Sequence, residues 1–246
     1  MHYLEVVDLY KSFVTPGGRV INALQGVSFS IERGDILCVV GHNGSGKTTL
    51  LNCIRNTFSW ESGDVLLEGK RCSSKRANVV SVFQDVGLGV VGSMTLRENL
   101  SLVFSHDHRF MVSFPKSYFE LGINAFLERT GFLSQFKSFN ETPVSELSGG
   151  QRQQVAILMA VMRKPDILLL DEFVSNLDAR VKEEMLTWVK GWIRDQKVTT
   201  LMITHDLYLA EAWGDWILEL SDGKSIRFEK LRENGQKQNE GACTPC

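Results

Sequence analysis

The segment from Gly41 to Thr48, Gly-His-Asn-Gly-Ser-Gly-Lys-Thr, constrains the folds open to this chain more than any other part of it. It fits the pattern G-x-x-x-x-G-K-[ST], in which a glycine-rich loop surrounds phosphate groups. The apolar residues 36–40 before it predict a buried strand, and residues 49–54 after it predict the first turns of a helix. Glycines let the backbone approach an anion closely, and the N–H groups at a helix start point at its charge. We therefore expect a phosphate-binding site at this strand–loop–helix junction.

We name residues 41–48 the phosphate loop. Two of its side chains add a positive charge and an oxygen ligand for a metal ion. The Lys47 ammonium attracts phosphate by about 4 kcal/mol per unit charge at roughly 4 Å and an effective dielectric constant of about 20. The Thr48 hydroxyl is a predicted ligand of Mg²⁺. The predicted nucleotide contacts in this region are Gly41, Asn43, Gly44, Ser45, Gly46, Lys47, Thr48 and Thr49.

Composition and charge narrow the class of protein. With 246 residues, a net charge of −2 and 43% hydrophobic residues, the chain is typical of a globular protein, and we expect no nucleic-acid partner. Its longest apolar run, residues 155–162, is too short to cross a bilayer, and its first residues lack the pattern of a secretory signal. Five scattered cysteines are typical of a reduced, cytoplasmic protein. Cys243 and Cys246 have metal or redox spacing, but the polar sequence around them favours an unstructured end.

Strand signals dominate the first part of the chain. Residues 4–9 and 27–31 alternate between apolar and polar side chains around the turn Pro16-Gly17-Gly18, which predicts an antiparallel N-terminal β subdomain. Residues 64–67 and 79–83 predict a second strand pair.

A helical pattern runs from about residue 95 to residue 164, and we expect a helical subdomain inserted there. Ser148 is a good N-cap for the last helix of this region. One apolar face of that helix is formed by Val155, Leu158, Met159 and Met162.

Beyond this insertion, strands alternate with a helix, which is typical of a parallel α/β sheet. Residues 167–170 and 198–204 predict buried strands, and Asp222-Gly223 predicts a hairpin turn. The chain is polar from about residue 229, and we expect a flexible tail over 229–246. The helix between the two strands is marked by Val181, Met185, Trp188 and Trp192.

Two adjacent acids, Asp171 and Glu172, follow the strand at 167–170. The carboxyl ends of parallel strands are where nucleotides bind, and neighbouring side chains of a strand point to opposite faces. Asp171 is therefore the expected Mg²⁺ ligand, usually through water, and Glu172 the residue that orients or deprotonates the attacking water. The alternative is that both are exposed acids that end a strand.

A second anion-binding helix start is predicted at Ser148-Gly149-Gly150-Gln151. One chain rarely needs two such helix starts for one γ-phosphate, so the sequence favours binding to the nucleotide of a second copy. The alternative is a helix cap without a ligand.

These motifs, in this order, resemble those of the ATP-binding subunit of ABC transporters, and the resemblance covers residues 1–228. It implies an α/β fold, a P-loop NTPase with a mostly parallel sheet, the N-terminal antiparallel β subdomain and the helical subdomain inserted at about 95–164. The motifs that carry the resemblance are the phosphate loop, Gln84, Leu147-Ser148-Gly149-Gly150-Gln151, Asp171-Glu172, Ser175-Asn176-Leu177-Asp178 and Thr204-His205-Asp206.

The resemblance implies roles for four further residues. Phe13 is similar to the aromatic that stacks on adenine, and Gln84 to the residue that reaches Mg²⁺ and the attacking water. Asp178 resembles part of the loop that crosses between two subunits, and His205 resembles the histidine that contacts the γ-phosphate. From the residues alone, Phe13 favours a core aromatic and His205 a polar strand end. The implied activity is Mg²⁺-dependent ATP hydrolysis, with ATP and Mg²⁺ as cofactors.

The implied partners are a second copy in a head-to-tail dimer, or a homologous ATPase subunit, and a transmembrane permease. The resemblance also implies that the permease holds the protein at the cytoplasmic face of the inner membrane. The stretches 82–85, 93–100, 150–153 and 158–160 are similar to ATPases of tryptophan/tyrosine-type importers, which implies import of an amino-acid-like solute delivered by an extracytoplasmic solute-binding protein.

Other assignments stay open at this point. Residues 21–28 also resemble ATPases of lipoprotein-release and peptide-export systems. A repair or translation ATPase fits less well, because the chain has one ATPase unit and no heptad run. A small GTPase or kinase would leave the Ser148-Gly149-Gly150 element unexplained.

Two positions depart from the family pattern, although neither change removes a catalytic group. Phe173 stands where proline is usual after the catalytic acid, and Met159 where arginine is common. Eight of the 14 phenylalanines lie in the predicted helical region, which receives a permease helix in the family, so these rings are candidates for that groove; helical core packing is the alternative. They are Phe104, Phe110, Phe114, Phe119, Phe126, Phe132, Phe136 and Phe139.

Overall fold

The computed structural model of this chain describes residues 2–71, 78–107, 141–175 and 177–231. The chain divides into two compact units, one built from residues 1–71 and 201–246 and one from residues 72–200. Asn176, Cys243, Cys246 and the phenylalanine side chains between residues 104 and 139 lie outside the described residues. The elements in chain order are β1 (Leu4–Val14), β2 (Val20–Ile31), β3 (Ile36–Val40), α1 (Lys47–Ile54), β4 (Ser62–Leu67), β5 (Lys70–Arg71), β6 (Val79–Val82), α2 (Leu96–Asp107), α3 (Gly149–Met162), β7 (Ile167–Asp171), α4 (Ala179–Gln196), β8 (Thr199–Ile203), α5 (Leu207–Trp213), β9 (Trp216–Ser221) and β10 (Lys224–Lys230).

An antiparallel sheet in the first unit has the strand order β2-β1-β4-β5. β1 and β2 pair around the turn at Pro16-Gly17-Gly18, with Leu4 opposite Ile31. The buried side chains of β1 are Leu4, Val6 and Leu9, so its apolar residues face the core while polar ones face outward. The predicted N-terminal antiparallel sheet is confirmed.

A second sheet in this unit contains the strand that leads into the phosphate loop. Its order is β10-β9-β3-β8, with β3 parallel to β9 and β9 antiparallel to β10. Every residue of β3 and β8 is buried, which explains their continuous apolar sequence. Asp222 and Gly223 connect β9 to β10 with φ angles of 47° and 77°, the left-handed conformation that tight hairpins favour. The hairpin predicted from Asp-Gly is confirmed.

The second unit contains the parallel pair β6–β7, with Val79 opposite Ile167. The expected pairing of residues 64–67 with residues 79–83 is therefore wrong, since β4 pairs with β1 and β5 instead. Apolar runs identify strands, but the partner of a strand depends on contacts far along the chain, which no local pattern contains.

The helices of the second unit bury more residues than the apolar positions predicted from their sequences. On α3, every residue from 153 to 162 is buried, so the predicted apolar face is correct but too narrow for a helix enclosed on all sides. On α4, Met185, Val189 and Ile193 form the buried face, while Trp188 and Trp192 are half-buried beside it. No helix in the described part of the chain is both long enough and apolar enough to span a bilayer.

The last strand, β10, extends to Lys230, beyond residue 229, where composition predicts the start of a flexible tail. The Leu231 N–H donates to the Asp215 carbonyl oxygen, and Arg227 forms an ion pair with Glu229. Residues 229–231 are therefore part of the folded unit.

Candidate functional site

The phosphate loop adopts a conformation that requires glycine at two positions. Gly41 has a φ of 143°, and a Cβ atom there would lie 2.2 Å from the Leu220 carbonyl oxygen. Gly46 has a φ of 105°, and its Cβ would lie 2.4 Å from the Ala23 carbonyl oxygen. An L side chain would be strained at both angles and would collide with backbone at both distances.

Lys47, the first residue of α1, is buried and reaches back across the loop. Its Nζ atom donates hydrogen bonds to the carbonyl oxygens of Gly41 (2.7 Å) and His42 (2.8 Å), and the residue is only 7% exposed. The Ser45 hydroxyl is buried and, among the described residues, has no hydrogen-bond partner. A cationic donor and an orphaned hydroxyl inside a glycine cradle fit an acceptor-rich anion such as a phosphate.

The polar residues around this cradle stand nearer the surface. Asn43 and Thr48 are exposed, and Thr49 is half-buried in the first turn of α1. The first N–H groups of a helix have no partner within the helix, so this turn can bind an anion. The Thr48 hydroxyl is an oxygen donor of the kind that Mg²⁺ prefers.

The β9–β10 turn supports the phosphate loop from one side. The Gly223 N–H donates to the Ser45 carbonyl oxygen (3.1 Å), and the His42 ring lies 3.8 Å from the Asp222 carboxylate. Gln25 in turn holds the hairpin, because its backbone N–H and its side-chain amide donate to the carbonyl oxygens of Gly223 and Asp222. Sequence reasoning missed this support, since these residues lie far from the loop along the chain.

His205 lies at the edge of the sheet from which the phosphate loop emerges. The Thr204 N–H donates to the carbonyl oxygen of Val39, on the strand that leads into the loop (3.3 Å). His205 itself is exposed, and Asp206 caps α5 by accepting a backbone N–H. The first unit thus brings His205, the predicted γ-phosphate contact, to the edge of the sheet from which the phosphate loop emerges.

Phe13 lies near the end of β1 and is 36% exposed. The Phe58 ring meets it edge-on with ring centroids 5.4 Å apart, and the Lys11 Nζ lies 5.1 Å from its centroid. Phe13 is therefore not the core aromatic that its sequence context alone favours, and its exposed ring is accessible to a ligand.

In the second unit, Asp171 and Glu172 lie at the carboxyl end of β7, and both are half-buried. Neither acid is fully exposed at the strand end. Glu172 has a φ of 44°, a conformation that is uncommon for residues other than glycine. Its carbonyl oxygen accepts the Ser175 N–H (3.0 Å), which closes a tight turn after the strand, and the Phe173 side chain inside this turn is buried.

Ser148 and Gln151 cap α3 reciprocally. The Ser148 hydroxyl accepts the Gln151 N–H (3.2 Å), and the Gln151 side-chain oxygen accepts the Ser148 N–H (2.9 Å), so the predicted N-cap is confirmed. A Cβ on Gly150 would lie 3.3 Å from a Leu177 methyl group, so this helix start lies against the segment that leads into α4. Asp178 is the N-cap of α4, a role that sequence reasoning did not assign.

Gln84 is exposed just beyond β6, in a loop that is tied to α3 and α2. The Gln153 side chain donates to the Phe83 carbonyl oxygen (3.5 Å). The buried Asn99 amide donates to three carbonyl oxygens and accepts one N–H within residues 91–95. Neither Gln153 nor Asn99 was predicted, because a polar side chain on a helix usually indicates a solvent-facing position.

Comparison with known proteins places the chain in one family. A family model described as "ABC transporter" matches residues 24–175. The chain belongs to the ABC transporter family. The match confirms the resemblance carried by the sequence motifs, and the α/β P-loop NTPase fold with it. As the ATP-binding subunit of an ABC transporter, the protein is an ATP hydrolase.

Individual relatives of this ATP-binding subunit agree with the family match. It is 34% identical over 235 residues to the tyrosine transport ATP-binding protein of Clostridioides difficile (strain R20291), covering 94% of this chain and 93% of the relative. It is 30% identical over 236 residues to the phosphonates import ATP-binding protein PhnC of Treponema denticola, covering 91% and 88%. The dimeric, ADP- and Pi-bound post-hydrolysis structure of the ATP-binding cassette MJ0796 matches at a TM-score of 0.80 and 26% identity, covering 94% of this chain and 99% of that one.

Proposed function

We propose that this ABC transporter subunit binds ATP with Mg²⁺ at the phosphate loop and that its hydrolysis powers import of an amino-acid-like solute by a separate permease. The observation that carries the proposal is the buried Lys47 ammonium, which lies within a cradle that Gly41 and Gly46 keep free of side chains. The orphaned Ser45 hydroxyl adds a second donor for phosphate oxygens.

The remaining groups divide the chemistry among them. Thr48, Asp171 and Gln84 provide the oxygen ligands for Mg²⁺, which, when bound, neutralises charge on the phosphates. Glu172 orients or deprotonates the attacking water, and a tight backbone turn after β7 holds its main chain in place. His205 contacts the γ-phosphate, and Phe13 stacks on the adenine.

Two copies, or this chain and a homologous ATPase, pair head to tail. The capped helix start of one copy, Ser148 to Gln151 with Gly149 and Gly150, then faces the nucleotide of the other, and Asp178 lies on the crossing loop. The exposed position of Ser148 and the dimeric state of the cassette MJ0796 support this arrangement. ATP favours the closed pair because the partner's contacts exist only while the γ-phosphate is present.

Transport requires a permease, which holds the subunit at the cytoplasmic face of the membrane. The names of two relatives, a tyrosine transport protein and a phosphonates import protein, support import of a small organic solute. An extracytoplasmic solute-binding protein delivers that solute in the proposed system.

The catalytic assignment is tested by Glu172→Gln. We expect turnover to fall by about 10²-fold or more, while MgATP still drives dimerisation in size-exclusion chromatography with light scattering. The matched control is Glu183→Gln on α4, which changes an exposed glutamate and should retain full activity. Wild-type hydrolysis by Glu172→Gln, or a monomer that MgATP leaves unpaired, would contradict the assignment.

The direction and the cargo are tested by reconstitution with the membrane protein that co-purifies. We expect ATP-dependent uptake of radiolabelled tyrosine from the side that carries the solute-binding protein. Release of lipoprotein or export of peptide would instead identify a release or export system, and co-purification with ribosomes would contradict a transport function.

A further inference from the structure

The ring of Phe13 is held in place by a charged cluster whose centre is Glu61. Lys11, two positions before the ring on β1, lies with its Nζ atom over the ring face, 5.1 Å from the centroid. The Lys11 side chain is 12% exposed, so its ammonium is largely withdrawn from water. A cation in this position is attracted by the negative face of the ring.

The Glu61 carboxylate holds both the Lys11 ammonium and the backbone next to Phe13. Glu61 Oε1 pairs with the Lys11 Nζ at 3.3 Å, and Glu61 Oε2 accepts the Ser12 N–H at 2.9 Å. The Glu61 N–H donates to the Tyr10 carbonyl oxygen at 3.0 Å. Glu61 therefore contacts each of the three residues that precede Phe13.

Phe58 completes the support. Its ring meets Phe13 edge-on, at an interplanar angle of 77°, in the T-shaped arrangement that aromatic pairs favour. Despite these two contacts the Phe13 residue is 36% exposed, so part of the ring remains accessible to a planar ligand.

We propose that Glu61 is a positioning residue of the nucleotide site. Through its contacts with Lys11 and Ser12, Glu61 holds the Phe13 ring ready to stack on the base. The proposal rests on the proposed function, because the ligand of this platform is the base of the nucleotide bound at the phosphate loop. Immobilising a side chain on binding weakens an interaction, so a ring fixed in advance binds its ligand more tightly.

Glu61→Gln is the first test, because glutamine keeps the size of the side chain and its acceptor for Ser12 but loses the charge that holds Lys11. Binding of MgATP and of inorganic tripolyphosphate with Mg²⁺ is measured by isothermal titration calorimetry. We expect the Kd for ATP to rise about 3- to 10-fold, while the Kd for tripolyphosphate, which has no base, stays unchanged. The control is Glu68→Gln, an exposed glutamate after β4, which should change neither.

A double-mutant cycle with Phe13→Ala separates positioning from general stability. Because Glu61 acts through the ring, Glu61→Gln should change the ATP affinity less than 2-fold in the Phe13→Ala background. An equal loss in both backgrounds, an equal loss for ATP and tripolyphosphate, or no loss for either ligand would overturn the proposal. The phosphate cradle is judged separately: Lys47→Ala should lose both ligands, and retention of both would contradict the proposed function whatever Glu61→Gln does.

Discussion

Ser148 carries two roles, helix cap and predicted phosphate ligand, and two substitutions separate them. Ser148→Ala removes the hydroxyl that accepts the Gln151 N–H, while the reciprocal bond from the Ser148 N–H to the Gln151 side chain remains. Loss of an N-cap acceptor costs about 1 kcal/mol, which corresponds to a fall in Tm of roughly 2–4 °C for a chain of this length. Both stability and ATP hydrolysis should therefore decrease in Ser148→Ala.

Ser148→Asp should separate the two roles. Aspartate caps as well as serine, and its charge is favourable at a helix N-terminus by about 0.3–1 kcal/mol, so the Tm should stay equal to wild type or rise. The same charge repels a phosphate, so hydrolysis at saturating MgATP should be lost. Thermal unfolding and phosphate release, measured on the same preparations, test both halves.

α2 supplies a matched control, because Thr95 and Glu98 form a second capping box of nearly the same geometry. The Thr95 hydroxyl accepts the Glu98 N–H at 3.2 Å, and the Glu98 carboxylate accepts the Thr95 N–H at 2.8 Å. Thr95→Ala should therefore lower the Tm as much as Ser148→Ala and keep its ATPase activity. Full hydrolysis by Ser148→Asp would refute the ligand role and leave Ser148 as a cap alone.

Two further predictions concern the first unit. Burial raises the pKa of the Cys53 thiol from 9.0 to about 11, against the opposing charge of Lys11, so the folded state favours the neutral thiol. The contribution of the neutral thiol to the free energy of unfolding should be fully present below pH 9. The free energy of unfolding should then fall by up to about 2 kcal/mol as pH rises toward 11, and Cys53→Ala should flatten this decline in urea titrations. Gly46→Ala should weaken tripolyphosphate binding at least 10-fold by calorimetry. Gly17→Ala, where a Cβ would lie in open space, should not weaken it. Equal affinities of the two variants for tripolyphosphate would refute the cradle.

Sequence predicted the parts of this molecule that local chemistry determines. The Asp222-Gly223 hairpin and the Ser148 cap follow from the φ angles that glycine tolerates and from the backbone N–H groups that a helix start leaves without a partner. The phosphate loop follows for both reasons. Each of these features depends on residues that are close together along the chain.

The parts that sequence did not predict depend on contacts between distant residues. The pairing of β6 with β7, the bonds from Gly223 and Gln25 that support the phosphate loop, and the contact of Glu61 with Lys11 each join separate segments. No periodicity or turn pattern contains such a contact. Burial is equally hard to predict for a polar side chain. Asn99 is fully buried, and its amide forms its hydrogen bonds inside its own unit.

Backbone conformation and burial explain the two departures from the family pattern, Phe173 and Met159. A proline at 173 would push the residue before it toward extended backbone, whereas Glu172 here has a φ of 44°. Phenylalanine does not restrict the φ angle of Glu172 as proline would. The Phe173 side chain is 2% exposed, so it anchors the turn by packing in the core rather than by a rigid proline ring. Met159 is 6% exposed on a helix enclosed on all sides, where an arginine would need a charged partner and methionine needs none. We therefore expect substitutions of Phe173 to act on catalysis through the backbone of the residue before it, Glu172.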